Sequence, residues 1–297
     1  MKPIKPISFT HYFLLVLLCS LSSCNKDYGQ LTLVADLPKS MEESSGIQII
    51  NDTEQIWMVN DSGNKNELYA LNDKGKITKT VIIEGAEDVD WEELTKDDQG
   101  NIYIGDIGNN KSRRKDLKVY KLPNPDHFKD GEKVKPEVIN FSYPEQNDFK
   151  PGRKGRLYDA ESLFYFKGNL YLLTKNRSSD FDGTTFVYQF PAQPGTYKAK
   201  RITSYKTCSN YHACQVTSAA LSPDQKTLVL LGYQKLWVFT NFKGNDFFNG
   251  DMRTIAFNHY SQKEAVTFIN ASELYIIDER DHQVGGHLYK IDINQAK

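Results

Sequence analysis

Five positions, Ser45, Glu92, Glu161, Ser218 and Glu264, each place an oxygen donor near the start of a short strand-like run. They are separated by 47, 69, 57 and 46 residues. Three glutamates brought to one point repel, and at least one keeps its proton. A cation removes that conflict. Three carboxylates and two hydroxyls, completed by carbonyls and water, make a hard oxygen shell that suits Ca²⁺ better than Zn²⁺. The alternative is a wet channel lined by the same residues, hydrogen-bonded to one another. Further charged groups keep step with this series. Glu43, Asp90, Asp159, Val216 and Gln262 stand just upstream. One strand later come Asn60-Asp61-Ser62, Gly105-Asp106, Lys175-Asn176-Arg177, Gly232-Tyr233 and Asp278-Glu279-Arg280. Lys175, Arg177 and Arg280 suit anionic oxygens, and Asp90 and Asp159 add binding oxygens. Asp61 or Asp106 is the expected base that activates water.

The elements that must bring these residues together are legible as a repeat. Each copy has a first strand, a second such as Gln55-Ile-Trp-Met-Val59 or Asn169-Leu-Tyr-Leu-Leu173, and a third such as Glu67-Leu-Tyr-Ala-Leu71 or His287-Leu-Tyr-Lys-Ile291. Apolar alternation bounded by Gly, Asn and Asp is strand-like, and no helical-period segment competes with it. Propeller blades run about 40–50 residues, so the longer steps carry insertions, chiefly Pro123 to Gly155. The fifth copy ends one strand short, while Leu31-Thr-Leu-Val-Ala35 has no partner of its own. The expected fold is therefore an all-β, five-bladed β-propeller closed by the N-terminal strand, which protects the sheet edges. A six-bladed ring, with 123–155 as a degenerate blade, is the alternative. First strands line the central channel and second strands return beside them, so the charged groups meet at one mouth.

Composition agrees with this class. The 297 residues are 39% hydrophobic and 12% aromatic, with 17 Tyr, which suits pleated surfaces. Lys and Arg number 37 against 38 Asp and Glu, which excludes a nucleic-acid binder held by bulk charge. Lys2 and Lys5 precede an apolar run from Tyr12 to Leu21, too short for a stable bilayer span, and together these read as a secretory signal over 1–23. Cys208 and Cys214 are close in sequence, and an oxidising compartment makes a small-loop disulfide the expectation, two free thiols the alternative.

Three resemblances extend this reading. Leu21-Ser22-Ser23-Cys24 resembles the lipobox of bacterial lipoproteins. That implies a lipidated Cys24 at the mature N-terminus; the polar residues after it read as a tether, so 24–30 is the lipidated end and tether, and the repeat makes 31–297 a single propeller. The lipobox likeness also implies attachment to a membrane of the cell envelope, the outer membrane of a Gram-negative bacterium. The alternative is an ordinary signal peptide with an incidental cysteine. The series Ser, Glu, Glu, Ser, Glu resembles the calcium ring of the five-bladed calcium-dependent apyrases. Trp91-Glu92-Glu93-Leu94, Glu161-Ser162, Ser218 before Ser222-Pro223-Asp224, and Glu264 carry that likeness. Asn60-Asp61 is similar to the family's acidic turn, and Lys175 with Arg177 to its basic pair. Ala265 stands where that family has Gly, and its long insertions are absent. Finally, Asn60-Asp-Ser-Gly63, Asp90-Trp-Glu-Glu-Leu94 and Gly105-Asp-Ile-Gly-Asn-Asn110 resemble secreted bacterial propellers related to the SdiA-regulated domain family.

Other motifs are bland. The Gly105–Asn110 stretch lacks Gly-Lys-Ser/Thr and reads as a tight loop. Trp91 stacks a ring ligand or packs between blades, and Arg113 and Arg114 read as solvated loop charges. Two functions follow. One is calcium-assisted hydrolysis of a phosphate-containing or other anionic small molecule. The other is a non-catalytic propeller with structural calcium whose mouth holds a glycan, peptide or protein.

Overall fold

Alternation decides where each strand puts its side chains, because neighbours on a strand point to opposite sheet faces. In the computed structural model, which describes residues 26–50, 55–282 and 284–296, both faces of nearly every inner strand are covered. The chain enters with β1 (Thr32–Asp36). Blade one is β2 (Ser44–Gln48), β3 (Ile56–Asn60), β4 (Glu67–Leu71) and β5 (Ile77–Ile83). Blade two starts with β6 (Trp91–Lys96), β7 (Ile102–Asp106) and β8 (Lys118–Leu122). After β9 (Lys133–Val134), it is completed by β10 (Glu137–Ser142). Blade three is β11 (Asp159–Phe166), β12 (Asn169–Lys175) and β13 (Thr184–Pro191), then, past β14 (Gly195–Lys198), β15 (Lys200–Lys206). Blade four is β16 (Ser218–Leu221), β17 (Thr227–Leu231), β18 (Lys235–Thr240) and β19 (Asp251–Ala256). Blade five is β20 (Lys263–Phe268), β21 (Glu273–Asp278) and β22 (His287–Asp292).

The molecule is an all-β, five-bladed propeller, and the N-terminal strand closes it. β1 pairs antiparallel with β22, Asp36 opposite His287 and Thr32 opposite Lys290. The 123–155 region builds no sixth sheet among the described residues. It supplies β10 to blade two, while β9 joins blade one parallel to β5. β14 crosses from blade three to pair with β10. Two outer edges are thus covered by strands borrowed from farther along the chain.

Five apolar clusters fill the wedges between neighbouring blades. On β3, Trp57 and Val59 enter the wedge shared with blade two, while Ile56 and Met58 enter the wedge shared with blade five. Trp91 belongs to the first of these wedges. It is fully buried, 5.8 Å from Tyr120, and donates its indole N–H to the Glu87 carbonyl, so it is a packed aromatic rather than a ligand platform.

Candidate cation site at the channel mouth

The ring residues owe their direction to a repeated irregularity. The β2–β3 register shifts between Ser44 and Gly46, β6–β7 between Trp91 and Glu93, β11–β12 between Ala160 and Ser162, and β20–β21 between Lys263 and Ala265. Each shift leaves one extra residue: Ser45, Glu92, Glu161 or Glu264. A bulge of this kind re-aims a side chain out of the ladder, here toward the mouth. Blade four has no such shift, and Ser218 pairs regularly with Leu231. Thr217 takes the ring place there. Its hydroxyl donates to the Lys263 carbonyl at 2.6 Å, just as Ser45 donates to the Trp91 carbonyl at 2.7 Å. In both cases the acceptor precedes the next blade's glutamate.

Ser218 lies one step down the channel. Its hydroxyl donates to the Glu93 carboxylate across the axis and accepts the Val266 N–H at 3.1 Å. The Glu93 carboxylate also takes backbone N–H groups of Leu94, Ala219 and Ile47. Burial pushes the Glu93 carboxyl well up, against the pull of these donors. The expected ring member is therefore part of an axial plug beneath the mouth.

The mouth itself is a cavity of about 190 Å³. Six carboxylates line it: Glu43, Asp61, Glu92, Glu161, Glu264 and Glu279. Among the described residues only two cations do, Lys175 and Arg177, and both are engaged. Lys175 Nζ lies 2.5 Å from Glu161 Oε2, and Arg177 lies 2.6 Å from Glu161 Oε1 and 2.5 Å from Asp159 Oδ2. Tyr233, whose hydroxyl is 3.2 Å from Lys175 Nζ, completes this side. The phenol of Tyr233 is the polar contact that blade four brings to the mouth.

The opposite side is acid without base. Asp61, Asp90 and Glu92 each offer an oxygen within 4.8 Å of the others. Burial raises all three carboxyls, Asp90 to about 7, with the charges of Asp61 and Asp159 adding to it. Glu161 also reaches about 7, because burial outweighs Lys175 and Arg177. Glu92 has no protein hydrogen-bond donor among the described residues. Gly108 completes the enclosure, since a Cβ there would collide with the carboxylates of Asp90 and Glu92. Its φ is ordinary, so this glycine serves close approach rather than a turn. Three oxygens no more than 4.8 Å apart share a point within about 2.8 Å of each, so side-chain shifts of a few tenths of an ångström bring all three to calcium's bond length of about 2.4 Å. The residues present fit that ion, with coordination positions left open.

Two expected functional residues face elsewhere. Asp106 is fully buried, 2.8 Å from Arg114, and accepts the Asp90 N–H at 3.2 Å. Sealed from the cavity, it cannot meet a water there and instead holds the strand start. Arg280 donates to the Leu37 carbonyl at 2.8 Å and packs under Gly286, tying down the N-terminal segment. Asp159 is likewise buried, between Arg177 and the Asn109 N–H at 2.6 Å. Cys208 and Cys214 are bonded, with their Cα atoms 5.5 Å apart, and Gln215 beyond them donates to the Asn176 carbonyl at 2.9 Å. Cys24 and the signal segment lie outside the described residues.

No family model matches the chain, and no curated protein matches it. Solved structures do. The PQQ-bound aldose sugar dehydrogenase of Streptomyces coelicolor shares 9% identity over 89% of this chain and 98% of its own, with a TM-score of 0.53. XC5397, a gluconolactonase of Xanthomonas campestris, shares 11% over 90% and 95%, with a TM-score of 0.48. A catalytically inactive variant of virginiamycin B lyase from Staphylococcus aureus, with quinupristin, shares 12% over 86% and 67%, at 0.42. At these identities the likeness is one of fold.

Proposed function

We propose that the mouth is a calcium site through which the protein binds and hydrolyses a small anionic molecule such as a phosphate ester. The observation that carries this is the Asp61, Asp90 and Glu92 trio, three carboxylates close enough to share one ion, with no lysine or arginine ion-paired to Glu92 among the described residues. Six lining acids against two engaged bases repel a free anion. An anionic ligand therefore needs the cation, whose charge would polarise its oxygen and offset developing negative charge. Arg177, with 27% of its side chain exposed, faces the same cavity and can hold a second anionic oxygen. Glu264 and Glu279 line the cavity without a protein hydrogen-bond donor among the described residues. They are the carboxylates left to take a proton from water, since Asp106 is sealed and Asp61 belongs to the ion. A cavity of about 190 Å³ admits the reacting end of a substrate and leaves the rest outside.

The likeness to calcium-dependent apyrases supports the ion in this reading, with Asp61 and Asp90 in place of the full ring. The likeness to propellers of the SdiA-regulated group, the lipid anchor at Cys24 and an outer-membrane location are parts of the same proposal. Among the described residues no helix is long and apolar enough to cross a membrane.

A second reading has its own observation. Glu93 and Ser218 already tie blades two and four, and Val266 of blade five, at the axis. The mouth then has no closure to perform and serves as a non-catalytic receptor for a glycan, peptide or protein through bound calcium. Calorimetric titration of the mature chain with Ca²⁺, followed by a turnover screen of phosphomonoesters, nucleotides and lactones with and without chelator, separates the readings. One calcium site and chelator-sensitive turnover are expected. Binding without turnover favours the receptor, and no calcium binding removes both.

A further inference from the structure

Arg114 belongs to a loop whose sequence reads as solvated, yet only 13% of its side chain is exposed. Its Nη1 lies 2.8 Å from Asp106 Oδ1 and donates to the Gly108 carbonyl at 2.9 Å. Its Nε reaches Asp116 Oδ1 at 3.2 Å. Asp106 Oδ1 in turn accepts the Asp90 N–H. Asn109 continues the lattice: its Oδ1 accepts the N–H groups of Arg113 and Arg114 at 2.7 and 2.9 Å, and its own N–H binds Asp159. One guanidinium thus touches both walls of the acid trio. One wall is the strand start bearing Asp90 and Glu92. The other is Gly108, where a Cβ would overlap their carboxylates.

We propose that Arg114 is a positioning residue for the cation site, fixing the separation of Asp90 from the Gly108 loop and so the span of the three ligands. This rests on the calcium reading above. Arginine suits this place because the N–H bonds of Nη1 point in fixed directions to Asp106 and Gly108 while Nε holds Asp116, whereas an ammonium is a single point charge on a flexible stem. As a cation itself, Arg114 is no ligand, and its effect passes through Asp106 and Gly108.

The test is calcium titration calorimetry on the full mature chain, with the luminescence lifetime of Tb³⁺ bound in calcium's place. Arg114→Lys keeps a charge beside Asp106 but loses the fork. Its calcium affinity is expected to fall by about 10- to 100-fold, the range for residues that orient ligands. The terbium lifetime should shorten as extra water enters a loosened shell. Should that variant fail to fold, the Asp106→Asn, Arg114→Met double variant leaves no unpaired buried charge, and the same losses are expected. Arg113→Lys, on the exposed neighbouring side chain, should match wild type. A folded variant with unchanged affinity and lifetime overturns the role of Arg114 while leaving the calcium reading in place. A wild-type protein that binds no calcium overturns that reading, and the positioning role falls with it.

Discussion

Asp61 and Asp90 bring carboxyl oxygens within 4.8 Å of each other and burial raises both, which favours a proton on the pair. A cation bound there displaces that proton, so binding and titration are linked. Burial, with the charges of Asp61 and Asp159, holds the Asp90 carboxyl up at about 7. Calcium affinity should therefore rise between about pH 5 and 8, with proton release on binding. Calorimetry in buffers of different ionisation heat measures this, and a binding heat independent of buffer would count against it. Asp61→Asn removes a direct ligand. Since outer-shell changes alone cost about 10- to 100-fold, its calcium affinity should fall by at least about 100-fold. The fold should persist, because Asp61 stands in a surface turn held also by Asn64, which donates to the Asp61 carbonyl at 3.0 Å.

At the scale of elements, four bulges and one glycine loop do the positioning. The bulges turn Ser45, Glu92, Glu161 and Glu264 out of their ladders, and the Gly108 loop closes against two of the acids. Gly108→Ala places a methyl group where the carboxylates of Asp90 and Glu92 lie. The strand start is anchored, so the carboxylates must separate. Calcium binding should be lost or weakened by more than about 10-fold, with a modest fall in melting temperature. Wild-type affinity in that variant would show that the loop does not shape the site.

At the scale of the whole molecule, burial raises the pKa of several carboxyls. Asp88 is held at about 8 by burial and then by the charges of Asp61, Asp106 and Asp90, against the Trp91 N–H, and Asp90 and Glu161 lie at about 7. Each binds its proton more tightly folded than unfolded. The stability this contributes is fully present below about pH 4 and is lost as pH rises through about 7 to 8. Chelated protein should therefore melt at falling temperature from pH 5 to pH 8.5, and calcium should restore the loss. A chelated melt that rises over this range would contradict these protonation states. The axial plug is a separate device. Glu93→Gln presents an amide to converging N–H donors and should cost about 1–3 kcal/mol in urea unfolding, with or without calcium. A cost seen only without calcium would mean that the ion, not Glu93, ties the ring.

The repeat, the five blades and the closure by the first strand were legible in the sequence, because strand alternation and blade length are local properties. So was the meeting of Glu92, Glu161 and Glu264 at one mouth with Asp61, Lys175 and Arg177. The tertiary structure decided what each of them faces. Ser218 and Thr217 differ by one residue, and in a strand one residue reverses the face. Only the observed pairing places Thr217 at the ring and Ser218 in the plug. Lys175 and Arg177 were visible as cations, but their capture by Glu161 and Asp159 depends on distances between strands. Arg114 gave no signal, since nothing local marks a loop arginine as buried. Its partners Asp106 and Gly108 acquire their meaning only where Asp61, from another blade, completes the acid trio.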